Sequence, residues 1–134
     1  PALVCGAPPA DDDAWSIPTQ THTEHRDGSC PWPERAAVEI FYHDCDPDLA
    51  LASARKLRRQ QWGITHEVTP LREWPPTPTA YIMCTDDRAV SRAYSSRAAR
   101  ERLQVEAIEM HGGHSPSLSR PRELAAQMLS LAGS

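Results

Sequence analysis

The sequence predicts an α/β fold, because two short apolar runs flank a charged stretch that is about long enough for one helix. We expect strands at 79–84 and 105–110 and a helix within 88–104. A strand, a helix and a second strand in that order form a βαβ unit, and the two strands of such a unit run parallel. Each predicted strand stops abruptly at polar residues that can carry or move a proton.

Both predicted strands are followed by groups suited to proton transfer. Asp86 and Asp87 come soon after the first strand, and His111 and His114 flank two glycines after the second. The carboxyl ends of parallel strands meet at the same edge of a sheet, where ligands bind in open α/β folds. We therefore expect Asp87 and His114 to lie close together, in the arrangement of an acid that orients a base.

Proline clusters divide the chain into three parts. The 134 residues include 13 prolines, and proline interrupts both helices and central strands. We expect residues 1–9 to form a core strand and its exit, residues 10–77 to form an inserted region, and residues 78–134 to return to the core. At this length the chain is at most one domain.

The inserted region predicts two helices separated by a break. Apolar residues recur at helical spacing up to Phe41, which predicts the first helix. Asp46 is a good N-cap and Pro47 suits the first helical position, so a second helix is predicted from there to about residue 60. Gly63 is a plausible stop for that helix.

Two further elements are predicted near the ends of the chain. Asp27-Gly28 is a good turn signal and predicts a short hairpin around it. Leu124, Met128 and Leu131 recur at helical spacing ahead of Gly133 and predict a closing helix. We expect that helix to bury these three side chains in the core.

Composition excludes several classes of partner. The formal net charge of −4 and the sequence pI of about 5.8 provide no basic field for nucleic acid or anionic lipid. No apolar run approaches the roughly 20 residues that a membrane helix needs, and no signal-peptide pattern opens the sequence. The cysteines form no C-x-x-C pair, so we expect four free thiols in a reducing, cytoplasmic compartment. They are Cys5, Cys30, Cys45 and Cys84.

The residues around Asp87 and His114 resemble the C-terminal half of an α/β-hydrolase. Members of that family carry their catalytic residues in the order nucleophile, acid, histidine, with the acid after a late strand and the histidine after the last one. The likeness continues through 119–125, which is similar to the start of the family's closing helix. The pattern is similar to the branch of plant methylesterases and hydroxynitrile lyases and to its bacterial relatives. The resemblance is specific over 78–134 and looser over 1–77.

The resemblance assigns a role to each polar residue at the sheet edge. It implies that Asp87 is the acid of a catalytic triad, with Asp86 as the alternative. It implies that His114 is the general base, whereas we expect His111 to end the strand or face solvent. A structural alternative remains for the two acids, because either could cap a helix that begins near Val90.

The inserted helices resemble the cap that hydrolases of this type place over the active site. In that arrangement Phe41 and Tyr42 could line the substrate pocket. His43 and Cys45 invite a metal interpretation, but zinc needs four ligands and no second pair stands at a typical distance. We therefore expect no metal, and the pattern favours an interhelical turn with a hydrogen-bonded histidine for this segment. The resemblance implies no organic cofactor.

The nucleophile of the family is missing from its usual motif. The family writes its serine elbow as G-x-S-x-G, and no such sequence occurs here. The nearest approach, Gly113-His114-Ser115-Pro116-Ser117, overlaps the expected base. The opening residues 2–6 resemble the strand that follows the nucleophile helix in the family. We therefore expect the chain to be the downstream half of a hydrolase, marginally stable alone, which pairs with an N-terminal half or self-associates through an open sheet edge.

The resemblance predicts esterase-type hydrolysis of a small ester or related carbonyl substrate, with Asp87 and His114 as the acid and base. The same family site also serves C–C lyases such as hydroxynitrile lyases. The alternative from another class is a non-catalytic module that binds a small ligand or a partner protein. Without the motif for the nucleophile, we expect the 134 residues alone to be inactive.

Overall fold

The computed structural model describes residues 29–61, 70 and 73–133. The elements in chain order are β1 (Ser29–Cys30), α1 (Glu34–Phe41), α2 (Pro47–Ala54), β2 (Gln60–Gln61), β3 (Tyr81–Cys84), α3 (Arg92–Leu103), β4 (Ala107–Met110), α4 (Pro116–Ser119) and α5 (Pro121–Ala132). The strand predicted within 1–9, the turn at Asp27-Gly28 and the stop at Gly63 lie outside the described residues. The antiparallel pairing of β1 with β2 joins the two ends of the segment that carries α1 and α2.

The βαβ unit is present and confirms the α/β fold class. Strands β3 and β4 run parallel, with Tyr81 opposite Ala107 and Cys84 opposite Met110. Backbone pairing continues beyond the strands, because the Asp86 N–H donates a 2.9 Å hydrogen bond to the carbonyl of Gly112. The loops that follow the two strands are therefore held side by side at one edge of the sheet.

Helix α3 crosses between the two strands and lies within the predicted range 88–104. Ser91 is its N-cap, with a side-chain oxygen that accepts a 3.2 Å hydrogen bond from the backbone of Tyr94. The backbone N–H groups of Ala89 and Val90, just before the helix, are hydrogen-bonded to the Asp87 carboxylate. At the other end, Gln104 adopts a left-handed conformation with φ of 57° and stops the helix. Ala99 is fully buried on the side of α3 that faces the sheet.

Helices α1 and α2 pack against each other as a hairpin, with Ala37 and Ala50 buried. The predicted cap is confirmed, since Asp46 Oδ1 accepts hydrogen bonds from the backbone of residues 48 and 49 at 3.0 and 3.2 Å. Helix α2 ends at Ala54, however, and its predicted extension to residue 60 was wrong. The next backbone bonds join residues three apart, from Leu57 to Ala54, and this tighter turn leads the chain toward β2.

The closing segment consists of α4 and α5, and α5 ends before Gly133 as predicted. The expected burial of its apolar residues was wrong for Met128, which is 52% exposed, while Leu124 and Leu131 are half-buried. Among the described elements α5 packs chiefly against α4 rather than against the β3–β4 sheet. The helical spacing was correct, but the described residues do not cover that face.

Two of the four cysteines have side chains that the structure describes. Cys45 and Cys84 are free thiols. The described part of the chain has no helix with the length and apolar character needed to span a membrane.

Candidate active site

The carboxylate of Asp87 and the imidazole of His114 form a close pair at the sheet edge. The distance from His114 Nδ1 is 3.1 Å to Oδ1 and 3.0 Å to Oδ2 of Asp87, although the two residues are 27 positions apart. Asp87 follows β3 and His114 follows β4, so the parallel pairing of these strands brings them together. The proximity expected from the sequence is therefore observed, while the catalytic roles of the two residues remain predictions.

Asp87 is held as a carboxylate by its surroundings. Its Oδ1 also accepts hydrogen bonds from the backbone N–H groups of Ala89 and Val90, at 2.7 and 2.9 Å. Burial alone would raise the pKa of Asp87. The hydrogen bond with His114 and those from the two N–H groups lower the pKa by more than burial raises it, so the net shift is downward. The Asp87 side chain therefore accepts hydrogen bonds from the backbone turn and also contacts His114, so the capping alternative and the pairing with histidine both hold.

A second aspartate–histidine pair lies beside the first. His111 Nδ1 is 2.9 Å from Asp86 Oδ2, and both side chains are far more open to solvent than Asp87. The exposed position of His111 matches the expectation that it ends the strand or faces solvent. The structure thus separates Asp86 from His114 and assigns each histidine its own carboxylate.

The turn before His114 depends on two glycines. Gly112 has φ of 139°, a backbone conformation that residues with a side chain rarely adopt. A Cβ atom at Gly113 would lie 2.6 Å from Asp44 Oδ1 and 2.8 Å from His43 Nε2, which is too close for any side chain. The Gly113 N–H donates a 2.8 Å hydrogen bond to Asp44 Oδ2. The α1–α2 turn therefore packs directly on the loop that carries His114.

An open cleft of about 510 Å³ lies next to His114. The Phe41 ring centroid is 5.2 Å from the His114 ring centroid and 4.7 Å from that of Trp32. Tyr42 also lines the cleft, so both predicted substrate-binding residues lie at its wall. The full lining combines aromatic and apolar side chains with two arginines: Trp32, Phe41, Tyr42, Leu57, Arg58, Arg59, His114 and Ser115.

Sequence reasoning missed several of these lining residues. Leu57, Arg58 and Arg59 were assigned to the predicted second helix, and they reach the cleft because α2 ends earlier and the chain turns back. Trp32 lies between two prolines, a signal of an irregular segment but not of a site. Asp44, which does not line the cleft, was also missed, because the sequence gives no sign of its contact with Gly113, 69 positions away.

The segment around His43 forms a turn between α1 and α2, as the sequence predicted. The Nε2 atom of His43 is 3.0 Å from the backbone carbonyl oxygen of Asp86, within hydrogen-bonding distance. In the described part of the chain no group of three or more His, Cys, Asp or Glu side chains converges to hold a metal. Burial, together with the charge of Asp44, raises the pKa of the Cys45 thiol.

The chain belongs to the alpha/beta hydrolase family, whose sequence model matches residues 2–127. It is similar to the alpha/beta hydrolase nvfD of Aspergillus novofumigatus (strain IBT 16806), with 29% identity over 94 residues that cover 68% of this chain and 36% of that protein. These matches confirm the family that the residues around Asp87 and His114 suggested, and they support a hydrolase-type function.

Solved structures with the same fold include polyneuridine aldehyde esterase, with a TM-score of 0.67, 15% identity and coverage of 87% of this chain and 51% of that one. A histidine-to-alanine mutant of the same esterase gives a TM-score of 0.66, 14% identity and coverage of 86% and 51%. At these identities the likeness establishes the fold alone. The chain spans about half the length of these esterase chains and a smaller share of the fungal relative.

Proposed function

We propose that this chain supplies the acid and the base of a hydrolase that cleaves a small ester or related carbonyl substrate. The observation that carries the proposal is the placement of His114 Nδ1 within 3.1 Å of both carboxylate oxygens of Asp87. In the proposal Asp87 fixes the tautomer and orientation of the ring and stabilises the imidazolium that forms during turnover.

The other ring nitrogen of His114 performs the proton transfer. With Nδ1–H directed at Asp87, Nε2 carries the lone pair, and the described residues provide it with no hydrogen-bond partner. His114 also lines the cleft, so its ring is accessible to a bound substrate. In the proposal Nε2 takes the proton of a serine hydroxyl as that oxygen attacks the carbonyl, and it then delivers the proton to the leaving alcohol. Water then attacks the resulting acyl-enzyme as Nε2 takes its proton, and Nε2 returns that proton to the serine oxygen as the carboxylic acid leaves.

The attacking serine lies outside these 134 residues in the proposal. The family's elbow G-x-S-x-G does not occur in the sequence, and Ser115 is adjacent to the base itself. A further segment of the same protein would provide the serine.

Residues 10–77 act as the lid in the proposal, with the α1–α2 hairpin as its helical part. Phe41 and Tyr42 would hold the apolar part of the substrate beside His114. Apolar and aromatic walls with a few converging polar groups are typical of small-molecule sites. The same cleft also favours a second candidate function, a module that binds a small apolar ligand without catalysis.

The proposal is tested by expressing the 134-residue chain and the complete gene product, and assaying both with p-nitrophenyl acetate. The complete product should hydrolyse this ester and be inactivated covalently by diisopropyl fluorophosphate, while the chain alone should match background. Failure of the complete product to hydrolyse the ester, combined with saturable binding of a small apolar ester, would transfer the assignment to the binding module. Hydrolysis by the chain alone that depends on His114 would contradict the placement of the nucleophile elsewhere.

A further inference from the structure

Asp44 connects the helical hairpin to the loop that carries the proposed base. It lies in the turn between α1 and α2, and its side chain is only 13% exposed. Its Oδ2 accepts the 2.8 Å hydrogen bond from the Gly113 N–H, one residue before His114. A bond from an N–H to an ionised acceptor is roughly twice as strong as one between neutral groups. The contact therefore ties the backbone before His114 to the α1–α2 turn.

The surroundings of this contact leave the loop little freedom. The Gly113 backbone approaches Asp44 and His43 so closely that a Cβ atom would overlap both side chains. On the other side, a Cβ at Gly112 would lie 3.1 Å from the Arg120 side chain. The two glycines are thus enclosed between the α1–α2 turn and the residue that precedes α5.

The same turn also contacts the loop that carries the proposed acid. His43 Nε2 lies 3.0 Å from the carbonyl oxygen of Asp86, and Arg88 Nη1 donates a 3.3 Å hydrogen bond to the carbonyl of Glu39. The hairpin therefore touches the backbone before Asp87 as well as the backbone before His114. Its turn is positioned to set both partners of the acid–base pair.

The Asp44 carboxylate does more at this position than fill space. Burial alone would raise the pKa of Asp44, but the Gly113 N–H, the Ser119 side chain and His43 together lower it by more. The net shift of the pKa is downward, so the group is charged. Arg120 Nε lies 3.9 Å from Oδ2, while Oδ1 is buried and has no hydrogen-bond partner among the described residues. An apolar side chain would fill the space but would leave the Gly113 N–H without its acceptor.

We propose that Asp44 is a positioning residue for His114: its carboxylate holds the Gly112–Gly113 turn and so keeps the imidazole aligned with Asp87 and the cleft. The inference rests on the proposed function, since it concerns the alignment of the same base. It also gives the α1–α2 turn a task beyond covering the cleft, because the hairpin and the His114 loop then behave as one unit.

The test uses three variants of the complete gene product, assayed with p-nitrophenyl acetate well below their melting temperatures. Asp44→Ala removes the acceptor for the Gly113 N–H, and we expect kcat to fall by about tenfold to a hundredfold while KM changes little. Asp44→Asn keeps an oxygen at the same place and should restore most of the lost kcat. Asp46→Ala is the matched control, because it removes another carboxylate from the same turn. The Asp46 carboxylate accepts its hydrogen bonds from the start of α2 rather than from Gly113. This variant should lower the melting temperature and leave kcat within about twofold of the wild type.

Each outcome decides a separate point. Hydrolysis that requires His114 but is unchanged in Asp44→Ala would overturn the positioning role and leave the proposed function intact. Equal losses of kcat in Asp44→Ala and Asp46→Ala would also overturn it, because general loosening of the turn would then explain both. Absence of hydrolysis in the wild-type product would overturn the proposed function and the positioning role with it. Amide hydrogen exchange at Gly113 gives an independent readout: it should become faster in Asp44→Ala and stay slow in Asp46→Ala.

Discussion

Asp86 and Asp87 are adjacent in the chain, but their carboxylates pair with different histidines. Asp87 is within 3.1 Å of His114 Nδ1 and its side chain is 14% exposed, whereas Asp86 is 2.9 Å from His111 Nδ1 and is 48% exposed. Polar contacts with little solvent access are screened less by water and salt than exposed ones. The structure therefore contains a partly buried aspartate–histidine pair and an exposed pair of the same composition, which serves as its control.

The first prediction concerns the choice between the two acids. Asp87→Asn in the complete protein should lower kcat by about ten-thousandfold, because the amide leaves His114 in the wrong tautomer. Asp86→Asn should leave kcat within about threefold of the wild type, since its contact is an exposed pair. The measurement is kcat for a small activated ester. Comparable losses in the two variants would contradict the assignment of Asp87 as the acid.

The second prediction concerns the wall of the cleft. Phe41→Ala removes a ring 5.2 Å from His114 and should raise KM for an ester with a bulky apolar acyl group by about tenfold, with a smaller effect on an acetate ester. Leu49→Ala is the control, because Leu49 is an exposed residue of α2 that does not line the cleft. An equal rise in KM for both esters would mean that Phe41 supports the fold rather than the substrate.

The third prediction concerns the close approach at Gly113. Gly113→Ala should lower the free energy of unfolding by about 1–3 kcal/mol, because the new Cβ would overlap the Asp44 side chain. Gly133→Ala provides the comparison, since among the described residues a Cβ there would meet only the Leu129 carbonyl oxygen at 3.6 Å. Its effect should stay within about 0.5 kcal/mol. Urea unfolding of both variants checks the difference, and similar values would show that the loop relaxes around the added methyl group.

The fourth prediction concerns acid sensitivity. Folding lowers the pKa of both Asp44 and Asp87 from the ordinary value of 3.8. At pH values between the lowered pKa values and 3.8, the unfolded chain therefore binds more protons than the folded one. The stability that these carboxylates contribute is therefore complete above 3.8 and is lost as the pH falls through their lowered pKa values. Urea unfolding at a series of pH values should show a decline that is less steep in Asp44→Asn. An unchanged slope in that variant would contradict the lowered pKa of Asp44.

Much of the proposed site follows from local pattern and topology. The two strands of a strand–helix–strand unit run parallel, so the residues after β3 and β4 are expected to meet at one edge of the sheet. The family resemblance then selected Asp87 and His114 from the polar residues there. The cap formed by Asp46 was predictable for a similar reason, because capping depends only on neighbouring residues.

Contacts between distant segments were not predictable in this way. The bond between Asp44 and Gly113 joins residues 69 positions apart, and no periodic pattern marks either one. The early end of α2 also escaped prediction, because the residues after Ala54 are compatible with a helix and a tighter turn redirects them. The exposure of Met128 shows the same limit, since helical spacing identifies an apolar face but not whether another element covers it.

The central claim is that His114 is the base of a hydrolase, and a comparison of two histidines tests it most directly. We would measure kcat/KM of the complete gene product with p-nitrophenyl acetate for His114→Ala and His111→Ala, which alter neighbouring histidines that each contact an aspartate. The account predicts loss of activity to background for His114→Ala and nearly full activity for His111→Ala. Equal losses in the two variants, or full activity in His114→Ala, would contradict it.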